Sequence, residues 1–427
     1  MKQALAVLIA FCIVTTTLPL VVGAQATDVQ SQIDTIQKQR DQLLAEQKTL
    51  QSQLDALGQQ SSTLTGNIKT LDATRTKLLN DLKITQNGIA ATGLQIDKLT
   101  QNISQNQSEI QRHEDAITSA LKELSAYDNH TVVYDLLTYS NISDVWTDTA
   151  NLSSIQDKLQ GEIASLKNTT DALAKNKASA EAQKQSLASL QTQLSGQKKV
   201  VENTQSAKQK LLTDTKNQEA AYQKLLAQNI AQEKAFEAQL FLYESQLKAA
   251  SPTSAPSAEH SILSWPLKKI TVTQQFGKTS SSGRLYASGT HNGVDFGTPV
   301  GTPVMAVRSG VIKAQGNTDL QPGCYSYGRW ILVEHDNGLS TIYGHLSATL
   351  VSTGQAVTTG EVIGYSGGQP GADGAGYSTG PHLHLGLYVT AGVTVQRYST
   401  SIGCKNVSIP IANPTDYLDP LAYLPRL

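Results

Sequence analysis

Proline, cysteine and aromatic residues are scarce in this chain, and each scarcity excludes a class of structure. The 427 residues include only 3 cysteines, which excludes a disulfide-dense scaffold. Residues from Asp28 to Gln246 contain no proline and few aromatic side chains, so this long region lacks both helix breakers and the large anchors of a globular core. The formal net charge of −1 gives no indication of a nucleic-acid partner.

The proline-free region does contain a regular apolar repeat. Steps of alternating four and three residues run without a break from Ile36 to Leu124, a heptad pattern that predicts a coiled coil. A second apolar seam runs from Leu187 to Phe236, after a break near 126–150. Two arms of nearly equal length favour a helical hairpin, and a parallel dimer with a kink is the alternative. We therefore predict a coiled-coil region over 27–248.

The N-terminus has the pattern of a secretory signal, which predicts export. Lys2 supplies a positive charge, Leu5–Leu20 is an apolar run, and small residues near Ala24 and Ala26 suit cleavage. We predict a signal peptide over 1–26 and a location in the periplasm, in the cell wall or outside the cell. The apolar run is close to the length of a membrane span, so an uncleaved membrane anchor is the alternative.

The composition changes again after the helical region. Residues 249–264 contain two prolines among serine and alanine, which is typical of an extended linker. From Trp265 to Leu427, Gly, Thr, Val and Tyr recur at the spacing of turns and strands, and the turn Asp336-Asn-Gly338 predicts a β-hairpin. We predict a mostly antiparallel β domain over 265–427.

Two of the cysteines, Cys324 and Cys404, lie in the predicted β domain. Removal of the signal peptide would leave them as the only cysteine pair. An even pair in an exported chain predicts a disulfide, and two free thiols are the alternative.

Four histidines and one aspartate of the β domain have the spacing of a metal site. His382 and His384 are one residue apart in a predicted strand, so both imidazoles stand on one face. His291 and Asp295 share a face if their segment is extended, and His345 follows another predicted strand. A catalytic zinc takes three protein ligands and keeps a fourth position open, so three of these five side chains would bind metal and two would transfer protons.

Two further features limit this interpretation. The chain has no His-Glu-x-x-His helix, so the general base would be a histidine. His335, beside the hairpin turn, is interpreted as a structural residue, since single histidines in β domains are mostly hydrogen-bonded in the fold.

These stretches together resemble the motif set of the lysostaphin/LytM-type zinc endopeptidases, which cut peptidoglycan peptides. The resemblance covers about Trp265 to Tyr388 and rests on three motifs: His-x-Gly-x-Asp at 291–295, Tyr-x-His-Leu at 343–346 and Thr-Gly-Pro-His-Leu-His at 379–384. It implies zinc as cofactor, with His291, Asp295 and His384 as ligands, and His345 and His382 as catalytic histidines. Gly386 departs from the pattern, because many members have Glu there, and Tyr286 is the candidate for the family's oxyanion-stabilising tyrosine.

A long coiled coil before such a domain is similar to the architecture of EnvC- and PcsB-type division hydrolases and activators. That resemblance implies control by a membrane transporter or division complex that binds the coiled coil. We therefore predict an exported zinc metalloendopeptidase that hydrolyses peptide bonds of peptidoglycan in cell-wall remodelling or cell separation, with helical arms that regulate it. One alternative is a non-catalytic activator of cell-wall amidases that uses the same domain, and another is a coiled-coil scaffold with a vestigial domain.

Overall fold

The computed structural model of the chain describes residues 22–58, 63–127, 142–228, 231, 240, 244, 257–277, 291–324, 326–398 and 403–427. The chain divides into two compact units, one drawn from Met1–Lys38 and Ala90–Lys184 and the other from Gln39–Ile89 and Gln185–Leu427. The predicted apolar run Leu5–Leu20 and the candidate Tyr286 lie outside the described residues, as does the first half of the predicted linker.

Long helices form the N-terminal half, as the heptad pattern predicts. They are α1 (Val22–Gly58), α2 (Leu64–Tyr127) and α3 (Ile142–Thr215). The expected unbroken first arm is wrong, because α1 ends at Gly58 and a separate helix begins at Leu64, where the Thr63 side chain accepts a 3.0 Å hydrogen bond from the amide of Gly66. Within the described residues, no helix combines the length and the apolar character that a membrane span requires.

The helix α1 is antiparallel to α2. In the second unit, Asn80 Nδ2 donates to the carbonyl of Leu43 at 2.9 Å. In the first unit, Lys98 Nζ donates to Gln30 Oε1 at 3.0 Å. Residue numbers rise in one helix as they fall in the other, so α1 and α2 run in opposite directions. A heptad pattern gives the apolar face of a helix but not the point at which the chain turns back.

The helix α3 is antiparallel to α2, which agrees with the predicted hairpin. Lys208 Nζ lies 2.6 Å from Asp72 Oδ1 in the second unit, and His113 Nδ1 lies 2.5 Å from Glu162 Oε2 in the first. Some apolar positions of the seam are buried, such as Leu78 at 1% exposed, and others, such as Ile96, are partly exposed. Each long helix therefore covers the apolar face of another.

The β domain follows, and the predicted mostly antiparallel architecture is confirmed. Its strands are β1 (Val272–Gln274), β2 (Val294–Gly297), β3 (Pro303–Met305), β4 (Gly310–Asn317), β5 (Arg329–His335), β6 (Leu339–Gly344), β7 (Leu346–Thr349), β8 (Ala356–Val357), β9 (Val362–Ser366), β10 (His382–Val389), β11 (Val393–Arg397), β12 (Ser408–Ala412) and β13 (Tyr417–Leu418). The large sheet has the order β1-β2-β10-β6-β5-β4-β8, with β13 paired to β10. Two smaller sheets have the orders β3-β9-β7 and β11-β12.

The centre of the large sheet is buried on both faces. On one face Ile331 of β5 packs in a core with Tyr343 of β6, and on the other face Trp330 packs with Ile342. Burial of both faces agrees with the apolar run Trp330–Val333 in β5 and with the burial of every residue of β6. The two strands are joined by the predicted turn, in which Gly338 has φ of 78°.

The predicted disulfide between Cys324 and Cys404 is present. It lies in an apolar cluster with residues of the β11-β12 sheet, and Leu240, from the C-terminal end of the helical region, packs into the same cluster. Nearby, Tyr417 Oη donates to Glu244 Oε1 at 2.6 Å. The disulfide therefore ties the strand connection before β5 to a sheet that also contacts the helical region.

Within the second unit, α2 and α3 pack against the β domain. Leu78 and Val200 form a buried cluster with Val300, Ala348 and Tyr365. Two side-chain bonds accompany this contact at its border. Asn203 Nδ2 donates to the carbonyl of Ser347 at 2.9 Å, and Gln369 Nε2 donates to Asn67 Oδ1 at 3.2 Å.

Candidate metal centre

Two of the predicted metal ligands are brought together by strand register. In the ladder of β2 and β10, Asp295 is directly opposite His384, so their side chains share a face. The His384 Nδ1 atom lies 2.9 Å from Asp295 Oδ1. Both side chains are buried, with exposed fractions of 4% for His384 and 7% for Asp295.

The third predicted ligand, His291, comes from the segment just before β2. A bridge to Gly277 holds its backbone, and its Nε2 atom lies 3.3 Å from Asp295 Oδ1 and 3.2 Å from His384 Nδ1. Three buried donor atoms thus lie within 4.8 Å of one another and could hold a metal ion.

Opposing effects act on the charge of Asp295. Burial disfavours the charged form, but the nearby imidazoles of His291 and His382 and the hydrogen bonds from His291 and His384 favour it more strongly. The pKa of the Asp295 carboxyl consequently lies well below its usual value. The carboxylate is therefore available as an anionic ligand at neutral pH.

The donor set fits zinc, which takes imidazole nitrogen and carboxylate oxygen. His291 Nδ1 lies 3.0 Å from the carbonyl of Gln275, so in the neutral ring Nδ1 carries the proton and Nε2 directs its lone pair into the cluster. Burial lowers the pKa of His384, which favours the neutral imidazole that a metal requires.

Gly293, between the first two predicted ligands, leaves room for an imidazole. A Cβ atom at this position would lie 2.7 Å from His384 Nε2 and 2.5 Å from the carbonyl oxygen of Leu385. The sequence suggests that this glycine makes room for the metal itself. In the structure the space it leaves contains the ring of His384.

The two remaining histidines lie beside this cluster and face each other. The ring centroids of His345 and His382 are 4.6 Å apart, and His382 Nε2 lies 3.9 Å from Asp295 Oδ1. His382 begins β10, and its Nδ1 lies 2.8 Å from the carbonyl of Gly380. All five predicted side chains thus lie in one cluster.

His345 connects β6 to β7 in an unusual backbone conformation. Its φ of 59° is in the left-handed region, where a non-glycine residue is strained unless its surroundings hold it. Its amide donates to the carbonyl of Tyr327 at 2.7 Å, and its Nδ1 lies 2.8 Å from the carbonyl of Ala375. Burial, assisted by the neighbouring His382 and His384, holds the pKa of His345 well below its usual value.

Sequence reasoning missed several residues that hold the site. Tyr327 lies against His384, with ring centroids 5.7 Å apart, and its hydroxyl accepts a 2.9 Å hydrogen bond from Asn292 Nδ2. The carbonyl that holds His345 belongs to Ala375, which no side-chain motif could indicate. The structural interpretation of His335 agrees with its contacts, since its nitrogens lie near the Ser309 carbonyl and the Thr341 hydroxyl.

Comparison with known proteins gives a family for this domain. Residues 289–396 match the model of Peptidase family M23. DD-carboxypeptidase/endopeptidase Mpg of Neisseria meningitidis serogroup B is 43% identical over 94 residues, which are 22% of this chain and 19% of that protein. Peptidoglycan DD-endopeptidase ShyA of Vibrio cholerae serotype O1 is 40% identical over 99 residues, covering 23% of this chain and 20% of that protein.

Solved structures include proteins similar to the same part of the chain. The catalytic domain of lysostaphin from Staphylococcus simulans is 35% identical, and the match covers 28% of this chain and 81% of that one, with a TM-score of 0.23. The part of the chain that contains the site, residues 289–396, is therefore similar to peptidase family M23, a metallopeptidase family. Among the curated relatives named here the match spans a fifth of their length or less, as with the 20% of ShyA.

Proposed function

We propose that this protein is an exported zinc metalloendopeptidase that hydrolyses peptide bonds of peptidoglycan in cell-wall remodelling or cell separation. The observation that carries the proposal is the cluster of His291, Asp295 and His384 with two further histidines beside it, in a domain of peptidase family M23. Relatives named as peptidoglycan DD-endopeptidases support the substrate class.

His291, Asp295 and His384 would hold the zinc. A bound zinc ion supplies Lewis-acid chemistry, which polarises the scissile carbonyl and makes a water molecule more acidic. The ladder between β2 and β10 and the bond from His291 to Gln275 keep the three donors in place, so little rearrangement is needed on binding.

His345 and His382 would move the protons of the reaction. Each ring has its Nδ1 held by a backbone carbonyl, so in the neutral ring Nε2 carries the lone pair and can accept a proton. One histidine would take the proton of the attacking water and return it to the leaving amine, and the other would stabilise the developing oxyanion. The lowered pKa of His345 favours its neutral form at pH 7.

A non-catalytic activator of amidases is the alternative use of such a domain. Activators of this kind have lost zinc ligands, whereas here all five positions of the motif set are filled and lie together. The enzyme is therefore the better-supported function.

The helices would regulate this activity through a membrane transporter or division complex. Support comes from the contact of α2 and α3 with the β domain in the second unit. That contact includes Ser347, which follows His345 by two residues, and Gln369, in the loop that leads to Ala375. A partner that changed the pairing of the helices could thus act on the segments around His345.

The test is hydrolysis of purified sacculi by the full chain, followed by mass spectrometry of the released peptides. We expect peptide cleavage products that disappear with chelator and return with zinc. The matched control is Asp295→Ala, which should release none. Absence of cleavage by the zinc-loaded protein, together with stimulation of a wall amidase, would replace the endopeptidase with the activator.

A further inference from the structure

Among the residues that the structure describes, one backbone carbonyl is hydrogen-bonded to the ring of His345. Its Nδ1 lies 2.8 Å from the carbonyl of Ala375, and that residue belongs to the loop between β9 and β10 rather than to a strand. No strand ladder therefore fixes this carbonyl. Another group must hold it if the His345 ring is to keep one orientation and one tautomer.

Asp319 holds the peptide groups on both sides of Ala375. A single carboxylate oxygen, Oδ2, accepts from the amide of Gly374 at 2.8 Å and from the amide of Gly376 at 3.1 Å. Both glycines have positive φ, 85° and 56°, so the backbone turns sharply on either side of Ala375. Together with the amide of Arg329, which donates to the carbonyl of Gly374 at 2.9 Å, the carboxylate fixes the direction of the intervening carbonyl.

Asp319 is itself held in place. It lies in a short 3-10 turn over Thr318–Leu320, and its amide donates to Asn317 Oδ1 at 3.1 Å. Asp373 of the same loop lies 2.5 Å from Arg329 of β5, and Arg329 donates to the carbonyl of Ser347 at 2.6 Å. The loop is therefore tied both to the turn before β5 and to the strand that follows His345.

We infer that Asp319 is a positioning residue for His345, acting through the Ala375 carbonyl to keep the proton of the ring on Nδ1 and the lone pair on Nε2. Asp319 lies outside the three sequence motifs and reaches the site only through tertiary contacts. The expected effect of Asp319 on turnover rests on the proposed function, whereas its effect on the tautomer of His345 does not.

The experiment uses the full chain with 15N-labelled histidine, zinc-loaded, and compares Asp319→Ala and Asp319→Asn with the unsubstituted protein. The chain has 8 histidines, and His345→Gln identifies the signals of the ring. Two-bond correlations between ring protons and nitrogens report which nitrogen carries the proton. We expect the Nδ1-protonated form in the unsubstituted protein and a mixture of tautomers in Asp319→Ala.

A kinetic measurement accompanies the spectrum. In Asp319→Ala we expect kcat to fall by about 10–100-fold, because small displacements of a catalytic group have effects of this size, with KM and zinc content nearly unchanged. Asp319→Asn keeps an acceptor oxygen and should lose no more than about fivefold, with a smaller tautomer shift. The matched control is Asp419→Asn, whose carboxylate caps another short turn by accepting from the amide of Leu421 at 2.9 Å. It should match the unsubstituted protein in both measurements.

An unchanged His345 spectrum in a folded Asp319→Ala protein overturns the inference, whatever its activity. If Asp319→Ala does not fold, Asp319→Asn provides the test. A His345 spectrum of Asp319→Asn identical to that of the unsubstituted protein would also overturn the inference. If the unsubstituted protein hydrolyses no sacculi, the proposed function fails, and the tautomer still tests the role of Asp319.

Discussion

The β domain and the helices fix the register of their neighbours by different physical means. In the β domain, a ladder of backbone hydrogen bonds aligns β2 with β10, and a slip of one residue would turn His384 to the opposite face. In the helices, apolar side chains repeat every three or four residues and would fit several registers, so the alignment depends on polar contacts such as that of Asn80 with Leu43.

Under the proposed function, this difference would separate the residues of the reaction from those that regulate it. The donor atoms of the metal centre lie where register is strict, so their geometry is built into the sheet. In the second unit, the helices contact the β domain at Ser347, two residues from His345. Changes in the sheet should therefore abolish the reaction, and changes in the helical contact should adjust its rate.

The largest expected effect is the loss of the metal in Asp295→Ala. Removing the carboxylate leaves two imidazoles, and zinc sites in proteins need at least three protein ligands. We expect the full chain to bind about one zinc per molecule and the variant almost none, as measured by metal analysis after dialysis. Asp336→Ala, which removes an exposed carboxylate paired with Arg308, should keep the metal. Full retention of zinc in Asp295→Ala would contradict the ligand assignment.

The disulfide should have the next largest effect, on stability. Its cysteines are 80 residues apart, and in the chain-entropy model a loop of this length stabilises the folded protein by about 4 kcal/mol. Replacement of Cys324 and Cys404 by Ser should lower the free energy of unfolding of the β domain by roughly that amount, as measured with urea. A reducing agent should destabilise the unsubstituted protein and leave the double variant unchanged. Equal stability of the two proteins under oxidising conditions would contradict the estimate.

His345→Ala and His382→Ala should each keep the zinc and lose activity. Both rings lie beside the donor cluster without belonging to it, and loss of a general acid or base slows turnover by about 10²-fold or more. Rates of sacculus hydrolysis at equal zinc content give the measurement. His260→Ala, at an exposed histidine, is the control. Near-normal turnover in either variant would remove that residue from the mechanism.

The smallest expected effect is that of the helical contact. Val200 of α3 is fully buried against Val300 and Tyr365, so Val200→Asp should loosen the contact within the second unit. If the helices hold the enzyme in a slow state, sacculus hydrolysis should become about threefold faster or more, since weakening one state shifts the population to the other. Ile155→Asp, which changes a buried helix position in the other unit, is the control. An unchanged rate would leave the helices as a passive spacer.

Much of the fold could be predicted from local pattern. Alternation and turn chemistry indicate the hairpin of β5 and β6, and the heptad repeat indicates long helices. The spacing of His382 and His384 places both on one face of β10, and strand pairing brings that face beside the other three motif residues. The reversal between α1 and α2 was not predicted, because the apolar repeat continues across it.

The sequence by itself determined which side chains share a face, since the periods of strand and helix are properties of the local backbone. It also determined the donor chemistry, because His291, Asp295 and His384 are the side chains that zinc prefers. Only the tertiary structure decided what holds the His345 ring, because the Ala375 carbonyl and the Asp319 carboxylate come from segments distant in the chain. Such contacts depend on how distant segments pack, and the local periodicity of a strand or helix does not determine that packing.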